Sequence, residues 1–85
     1  MDSRPLVRAL LEAMAFLEES DEDQVEPFAA ARCLENMSHY LLQLEGVDRQ
    51  EFIELLEEMA SEEESESQAK RLRELPFVIG MIEKR

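Results

Sequence analysis

Residues 46–52 read GVDRQEF and carry the clearest local structural signal in the chain. Asp48 and Glu51 have the Asp-x-x-Glu spacing of a capping box, with apolar residues at the two hydrophobic-staple positions beside them. This pattern predicts an α-helix that begins at Arg49. Gly46, just before it, is typical of the left-handed residue that follows a helix, so the preceding helix should stop there.

Apolar residues recur at helical spacing in four segments of the chain. The predicted buried faces are Leu6, Leu10, Met14 and Leu17; Ala30, Leu34, Met37, Leu41 and Leu44; Phe52, Leu55, Leu56, Met59 and Ala60; and Ala69, Leu72 and Leu75. Ser3, Pro27 and Ser65 stand at helix starts, whereas Pro76 should end or kink the fourth helix. We therefore expect one all-α domain over residues 1–85, a small bundle of about four helices with the apolar C-terminal segment packed on it.

The charge of the chain restricts its function more than any motif does. Twenty-one Asp and Glu stand against nine Lys and Arg, which gives a net charge of −12 over 85 residues. Such a charge repels nucleic acid and anionic lipid and attracts basic surfaces, so neither nucleic acid nor membrane is an expected partner. The single Cys excludes an intramolecular disulfide, and no run resembles a signal peptide or a membrane span. A cytoplasmic location is expected.

The sequence offers little for catalysis or metal binding. Cys33 and His39, six residues apart on one helix, lie about 120° from each other around its axis and cannot form a nucleophile–base pair. We expect a small core thiol and a surface imidazole. The run Asp21–Asp23 begins like a calcium loop, but Glu26 and Arg32 occupy the positions where an EF-hand needs Gly and Glu. The chain is predicted not to be an enzyme and to have no cofactor and no metal site.

The acidic residues are unevenly distributed along the chain. Residues 1–69 hold 19 acidic and four basic residues, net −15, whereas residues 70–85 hold two and five, net +3. The charges could serve only to solvate the surface, with Lys70, Arg71 and Arg73 folding back on the acidic third helix. Solubility alone requires a net charge of magnitude about 2–8 in a small domain, which favours a binding role. The predicted partner-binding residues are Glu54, Glu57, Glu58, Glu62, Asp21, Glu22 and Asp23.

Apolar residues outside the predicted buried faces leave a second function open. Phe16, Phe28 and Leu42 lie away from the main apolar stripe of their helices, and Tyr40 lies at the edge of the second helix's face. If they cluster, they mark a surface for a partner or a second copy. The alternative function is a structural or assembly subunit that forms a homodimer through these residues and the C-terminal segment.

In length, acidity and helical make-up, the chain resembles the nuclease-colicin immunity proteins, small acidic bundles that neutralise a basic toxin. Those proteins carry a Tyr-Tyr-Pro segment before their last helix. This chain has a single tyrosine, Tyr40, inside a helix, so no interface residue is transferred. Residues 32–37, residues 51–56 and Leu75-Pro76 are similar to segments of small bacterial proteins without an assigned activity. The predicted function is a non-catalytic protein-binding module that masks a basic partner surface, of immunity or nucleic-acid-mimic type.

Overall fold

The computed structural model describes residues 1–82, and this part of the chain contains four α-helices. They are α1 (Arg4–Glu19), α2 (Pro27–Leu41), α3 (Gly46–Glu62) and α4 (Glu66–Val78). This part contains no β-strand, so the predicted all-α fold of about four helices is confirmed. The chain divides into two compact units, Met1–His39 and Tyr40–Arg85, and the single domain stays a prediction. Residues 83–85 of the predicted C-terminal segment lie outside the described residues.

The first helix begins where predicted, but Asp2 rather than Ser3 stabilises its first turn. Ser3 occupies the N-cap position, and its side chain makes no capping hydrogen bond. The backbone N–H of Arg4 donates instead to Asp2 Oδ1 at 3.0 Å. This hydrogen bond lowers the pKa of the Asp2 carboxyl below its ordinary value. Pro5 fits the first turn because a backbone N–H there would have no partner within the helix.

The buried side of α1 is rotated by about one residue from the predicted side. Val7, Leu11 and Met14 are buried, whereas Leu6, the first residue of the predicted line, is 58% exposed. Residues 7, 11 and 14 also recur at helical spacing. Met14 belongs to both apolar lines, so the prediction is confirmed there, whereas packing buries Val7 and Leu11 rather than Leu6 and Leu10.

The second helix begins with Pro27, as predicted, and Glu26 binds its first backbone N–H groups. Glu26 Oε1 accepts a hydrogen bond from Phe28 N–H at 3.0 Å, and Oε2 accepts one from Ala29 N–H at 2.8 Å. Both donors lack a partner within the helix, and a carboxylate at this end also interacts favourably with the helix dipole. Glu26 therefore fixes the start of α2.

The predicted buried face of α2 is only half buried. Every residue of the line from Ala30 to Leu44 has intermediate exposure, and none of the α2 residues is fully buried. The helix also ends at Leu41, well before the predicted stop at Gly46. Gly46 does adopt the left-handed conformation, with φ of +53°, but it is the first residue of α3. Residues 42–45 are a connection rather than the last turn of a helix.

The third helix begins before the predicted start at Arg49, and the predicted capping box is wrong. The N-cap residue is Glu45, whose carbonyl accepts hydrogen bonds from Asp48 N–H at 3.1 Å and Arg49 N–H at 3.4 Å. Asp48 consequently lies inside the first turn. The physical reason is that Gly46 adopts a positive φ without a Cβ clash, which lets the chain enter the helix before the Asp-x-x-Glu pair.

Helices α3 and α4 pack against each other within the unit Tyr40–Arg85. Leu56 and Leu72 are the largest fully buried side chains among the described residues. Met59 of α3 and Leu75 of α4 are buried as well. Each buried side chain of this size stabilises the fold by roughly 1.5–3 kcal/mol relative to an exposed one. The predicted buried face of α4 is confirmed, and that of α3 is confirmed at Leu56, Met59 and Ala60, whereas Phe52 and Leu55 are only partly buried.

The start of α4 matches the prediction. Ser65 is the N-cap residue, and its Oγ accepts a hydrogen bond from Gln68 N–H at 3.4 Å. Only residues 63–65 separate the two helices, because α3 extends to Glu62 and α4 begins at Glu66.

The fourth helix continues through Pro76 to Val78, so an end at that residue is wrong, and the alternative, a kink there, stays a prediction. The helix closes instead in a Schellman motif around Gly80, whose φ is +83°. Met81 N–H donates to the Pro76 carbonyl at 2.8 Å, and Gly80 N–H donates to the Phe77 carbonyl at 3.2 Å. This left-handed glycine ends a helix in the way that the sequence pattern suggested for Gly46.

Burial explains why the proline does not end α4. Pro76 is itself buried, and its neighbours Leu75 and Ile79 are 3% and 4% exposed. Proline removes one N–H and disfavours helical angles in the residue before it. The burial of three apolar side chains outweighs that local preference. Met81 is buried too, so the described part of the apolar C-terminal segment is packed as predicted.

No helix within residues 1–82 combines the length and the apolar character that crossing a membrane requires.

Candidate acidic interaction surface

All four acidic residues predicted for the third helix are exposed on α3. These residues, which together form the α3 stripe, are Glu54, Glu57, Glu58 and Glu62. Three of them follow one another at intervals of four, so they lie along one line of the helix with the fourth beside it. Glu54 Oε1 accepts a hydrogen bond from Gln50 Nε2 at 3.0 Å. The stripe is a ridge of like charge on the side of α3 away from its buried residues.

One member of the α3 stripe is paired with the neighbouring helix. Glu57 Oε1 lies 3.4 Å from Arg73 Nε of α4, and the two side chains are 61% and 50% exposed. An ion pair this exposed contributes only about 0–1 kcal/mol to stability. The prediction that basic residues fold back on the acidic helix is confirmed for Arg73. Lys70 lies instead 3.9 Å from Glu74 on its own helix.

The other three predicted residues are Asp21, Glu22 and Asp23, which together form the acidic turn between α1 and α2. All three are exposed. In this acidic turn, Asp21 Oδ1 accepts hydrogen bonds from Asp23 N–H at 3.1 Å and Gln24 N–H at 3.2 Å. Asp21 therefore stabilises the turn by these hydrogen bonds and also contributes negative charge to it. Glu22 lies at its tip with an exposed carboxylate. The acidic turn belongs to the unit Met1–His39, and the α3 stripe belongs to the unit Tyr40–Arg85.

Two polar interactions were missed by the sequence analysis. Glu26 uses both carboxylate oxygens to bind the backbone of α2, so its charge has a structural role. The signal was an acidic residue directly before a proline at a helix start, but Glu is not among the favoured capping residues. Contact of Arg73 with the acidic third helix was one of the alternatives considered, but its specific partner, Glu57, lies 16 positions away and is not revealed by the local pattern.

The two residues considered for nucleophilic chemistry are both exposed on α2. Cys33 is exposed, so the prediction of a core thiol is wrong. The reason is that the apolar face beside it is itself only half buried, as at Leu34. His39 is exposed, as predicted for a surface imidazole. No group of three or more His, Cys, Asp or Glu within residues 1–82 is placed to hold a metal ion.

A depression lies on the unit Tyr40–Arg85, between α3 and α4. Its volume is about 590 Å³, and it is lined by acidic residues such as Glu63 and Glu66 and by the basic Lys70 and Arg73. Glu74 lines it as well, so three acidic and two basic residues are present and their fields largely offset one another. This depression favours no ligand of either sign.

Comparison of the chain with protein-family models, with curated proteins and with solved structures finds no match. The similarity to the immunity proteins therefore rests on length, charge and helical class alone. The function has to be inferred from the exposed surface.

Proposed function

We propose that this protein is a non-catalytic binding module whose acidic surface masks a basic surface of another protein, as an immunity protein or a nucleic-acid mimic does. The observation that supports the proposal most is the exposure of all seven predicted acidic residues, in the α3 stripe and at residues 21–23. They are exposed on a chain whose net charge is −12. A cytoplasmic location is part of the same proposal.

Exposed charge of this density acts mainly on the rate of association. Glu54, Glu58 and Glu62 of the α3 stripe follow one another at steps of four residues, a rise of about 6 Å each. This spacing is shorter than the Debye length of roughly 8 Å at physiological salt, so a basic partner experiences their charges together. Complementary charge raises association rate constants from about 10⁵–10⁶ to as much as about 10⁸–10⁹ M⁻¹s⁻¹ at low salt. Fast capture of a basic protein is the activity that this surface favours.

The members of the α3 stripe differ in how much of their charge is offset. Glu57 lies beside the Arg73 guanidinium, which cancels part of its field. Glu54 makes a hydrogen bond to the neutral Gln50, which leaves its charge in place. Glu54 therefore keeps its charge, and Glu58 lies one turn further along the same line and is exposed. Reversing these two residues reverses the charge in the middle of the stripe.

The test compares two double variants that change the net charge equally. Glu54→Lys with Glu58→Lys reverses the middle of the stripe. Glu12→Lys with Glu35→Lys is the matched control, because both residues are exposed acids on α1 and α2. Circular dichroism first establishes that both variants are folded. Wild type and both variants are then used to capture proteins from a lysate of the source organism at low and physiological salt.

We expect wild type and the control to capture the same basic protein from the lysate. The stripe variant should fail to capture it. Recovery should also fall as the salt concentration rises, because screening weakens electrostatic docking. Equal recovery of the same protein by the stripe variant and the control would refute docking on α3.

A homodimer is the second candidate, and exposed aromatic residues on α2 favour it. Phe28 is 83% exposed and Tyr40 is 70% exposed, while the apolar face of α2 is half buried. An apolar dimer interface responds little to salt. Sedimentation equilibrium at low and high salt separates the two candidates. A dimer that persists in high salt, together with no captured basic protein, would favour the assembly function.

A further inference from the structure

The unit Met1–His39 contains a groove where the end of α1, the acidic turn and the start of α2 meet. Its volume is about 400 Å³. Its apolar lining residues are Leu17, Val25, Pro27, Ala30, Ala31 and Leu34. None of these six side chains is fully buried, so the groove exposes a continuous apolar surface to water. A volume of this size accommodates one or two apolar side chains of a ligand.

The mouth of the groove is acidic on one side. Ser20, Asp21 and Glu22 are among its lining residues, and all of them belong to the chain between α1 and α2. Residues 18–31 include six acidic residues and no Lys or Arg. The local field is therefore negative, and it favours a ligand that brings positive charge to the rim.

The rim of the groove is fixed in place by the backbone. The Asp21 carbonyl accepts hydrogen bonds from Gln24 N–H at 3.1 Å and Val25 N–H at 3.0 Å. Its carboxylate accepts two more from the same turn. Glu26 then anchors the start of α2. Because the turn and the helix start are both held by hydrogen bonds, a ligand loses less free energy in ordering this side of the groove.

We infer that this groove binds a segment of the basic partner in which an apolar side chain stands next to Lys or Arg. The apolar side chain enters the groove, and the neighbouring cation lies over Asp21 and Glu22. This inference rests on the proposed function and adds to it a specific contact in a second part of the chain. The cation is attracted by the two carboxylates, and the apolar side chain fits into the groove and is buried there.

Charge complementarity selects this occupant over a second copy of the chain. Each copy carries a net charge of −12. Docking residues 1–69 of one copy, net −15, into the groove of another would place like charge against the acidic rim, and like-charge contact at an interface costs several kcal/mol. Docking of the basic residues 70–85 of a second copy is the remaining alternative, and it would appear as self-association. An anionic membrane is repelled for the same reason.

The test uses synthetic peptides of roughly four helical turns. The first peptide is an amphipathic helix of Leu and Lys. Two matched peptides replace either every Leu by Ser or every Lys by Glu. Binding is measured by isothermal titration calorimetry on the full chain, and the site is located from backbone amide shifts in NMR spectra. The Leu–Lys peptide should bind, with shifts concentrated at Leu17, Ala31 and Leu34, and both matched peptides should bind at least tenfold more weakly.

Two groove variants are compared with controls of the same chemical change. Ala31→Gln fills the groove without adding charge, and Ala13→Gln places the same side chain at an exposed position on α1. Glu22→Lys reverses the rim, and Glu35→Lys makes the same charge change on α2. Ala31→Gln should weaken binding of the Leu–Lys peptide by about tenfold, because an apolar side chain loses its burial. Glu22→Lys should weaken it by roughly threefold at low salt.

The outcomes separate the groove from the proposed function. If both groove variants bind the Leu–Lys peptide as wild type does, and only the Glu54→Lys, Glu58→Lys double variant loses binding, then the groove is not the binding site. The α3 stripe remains the docking surface in that case. Absence of binding of the Leu–Lys peptide by wild type overturns the groove alone, because the proposed function is decided by capture of a basic protein in the separate test of the α3 stripe. Self-association that Ala31→Gln abolishes would assign the groove to a second copy and overturn the inference.

Discussion

The guanidinium of Arg49 binds the carbonyl oxygen of Leu42, with Nη2 donating at 2.8 Å. Nε of the same side chain donates to the Leu44 carbonyl, also at 2.8 Å. Both carbonyls follow the end of α2, where backbone acceptors lack partners within the helix. A side chain from the first turn of α3 thus holds the connection formed by residues 42–45, and the two planar donors of arginine suit this task.

Replacing Arg49 should therefore destabilise the fold. Arg49→Ala should lower the free energy of unfolding by about 1–2 kcal/mol, near the contribution of a hydrogen bond from a charged group. Arg49→Lys should recover less than half of the loss, because an ammonium cannot reproduce the two-donor geometry. Urea denaturation measures both. Arg32→Ala, at an exposed position on α2, is the control. Equal midpoints for Arg49→Ala and Arg32→Ala would contradict the role of Arg49.

Glu26 and Glu22 should respond differently to the same substitution. Glu26→Ala should cost about 0.5–2 kcal/mol, the range for loss of a helix N-cap, because two backbone N–H groups lose their acceptors. Glu22→Ala removes the same charge and should change stability by less than about 0.5 kcal/mol. Chemical denaturation of the two variants gives the comparison. If they lose the same free energy, charge rather than capping accounts for the effect of Glu26.

The sequence predicts the helices better than it predicts their ends. The apolar period locates all four helices and the buried faces of α3 and α4, since burial of residues such as Leu56 and Leu72 is encoded in the spacing itself. The errors fall where a glycine or a proline acts against the local rule. Gly46 begins a helix instead of following one, and packing carries α4 through Pro76.

The candidate site is predictable in composition but not in geometry. Exposure of the seven acidic residues follows from their position away from the apolar period. The Glu57–Arg73 contact does not, because it depends on how α3 and α4 pack. The groove beside Ala31 is equally hidden in the sequence, because the pattern predicts a fully buried face on α2 and the residues of that face are only half buried.

Gly80 should be intolerant of a side chain for conformational reasons alone. A Cβ at this position would meet no atom within 4 Å, so no steric contact with neighbours arises. Its φ of +83° is still unfavourable for other residues, and Gly80→Ala should cost about 1–2 kcal/mol. Gly80→Asn should cost less, because asparagine tolerates left-handed angles better. Thermal and urea denaturation measure the order, and a Gly80→Ala protein as stable as wild type would exclude the Schellman motif.

Asp2 should make the first turn of α1 sensitive to acid. Its pKa is below the ordinary value of 3.8, chiefly because the Arg4 N–H binds the carboxylate. A carboxyl whose pKa is lowered by folding stabilises the folded state at pH values above its unfolded-state pKa. This contribution is lost as the pH falls through the folded-state pKa. Hydrogen exchange at Arg4 should therefore be slower in wild type than in Asp2→Asn at neutral pH, and the difference should vanish in acid. Ser3→Ala should have no such effect, since Ser3 makes no capping bond.

Arg73→Gln and Glu57→Gln break the same ion pair, yet they should differ in stability. The direct contribution of the pair is small because both side chains are half exposed. From a net charge of −12, loss of Arg73 gives −13 and loss of Glu57 gives −11. Repulsion within a highly charged fold is destabilising, so the first change increases it and the second relieves it.

Arg73→Gln should accordingly lower the free energy of unfolding by about 0.5–1 kcal/mol at low salt, while Glu57→Gln should be neutral or slightly stabilising. The difference should shrink at physiological salt, because screening reduces the repulsion that separates the two variants. Lys70→Gln tests the charge effect without the Glu57 contact, since Lys70 lies beside Glu74 on its own helix. Thermal melts of the three variants at two salt concentrations give the answer. Equal losses for Arg73→Gln and Glu57→Gln at low salt would mean that the contact, and not the surrounding acidic field, sets the stability of this surface.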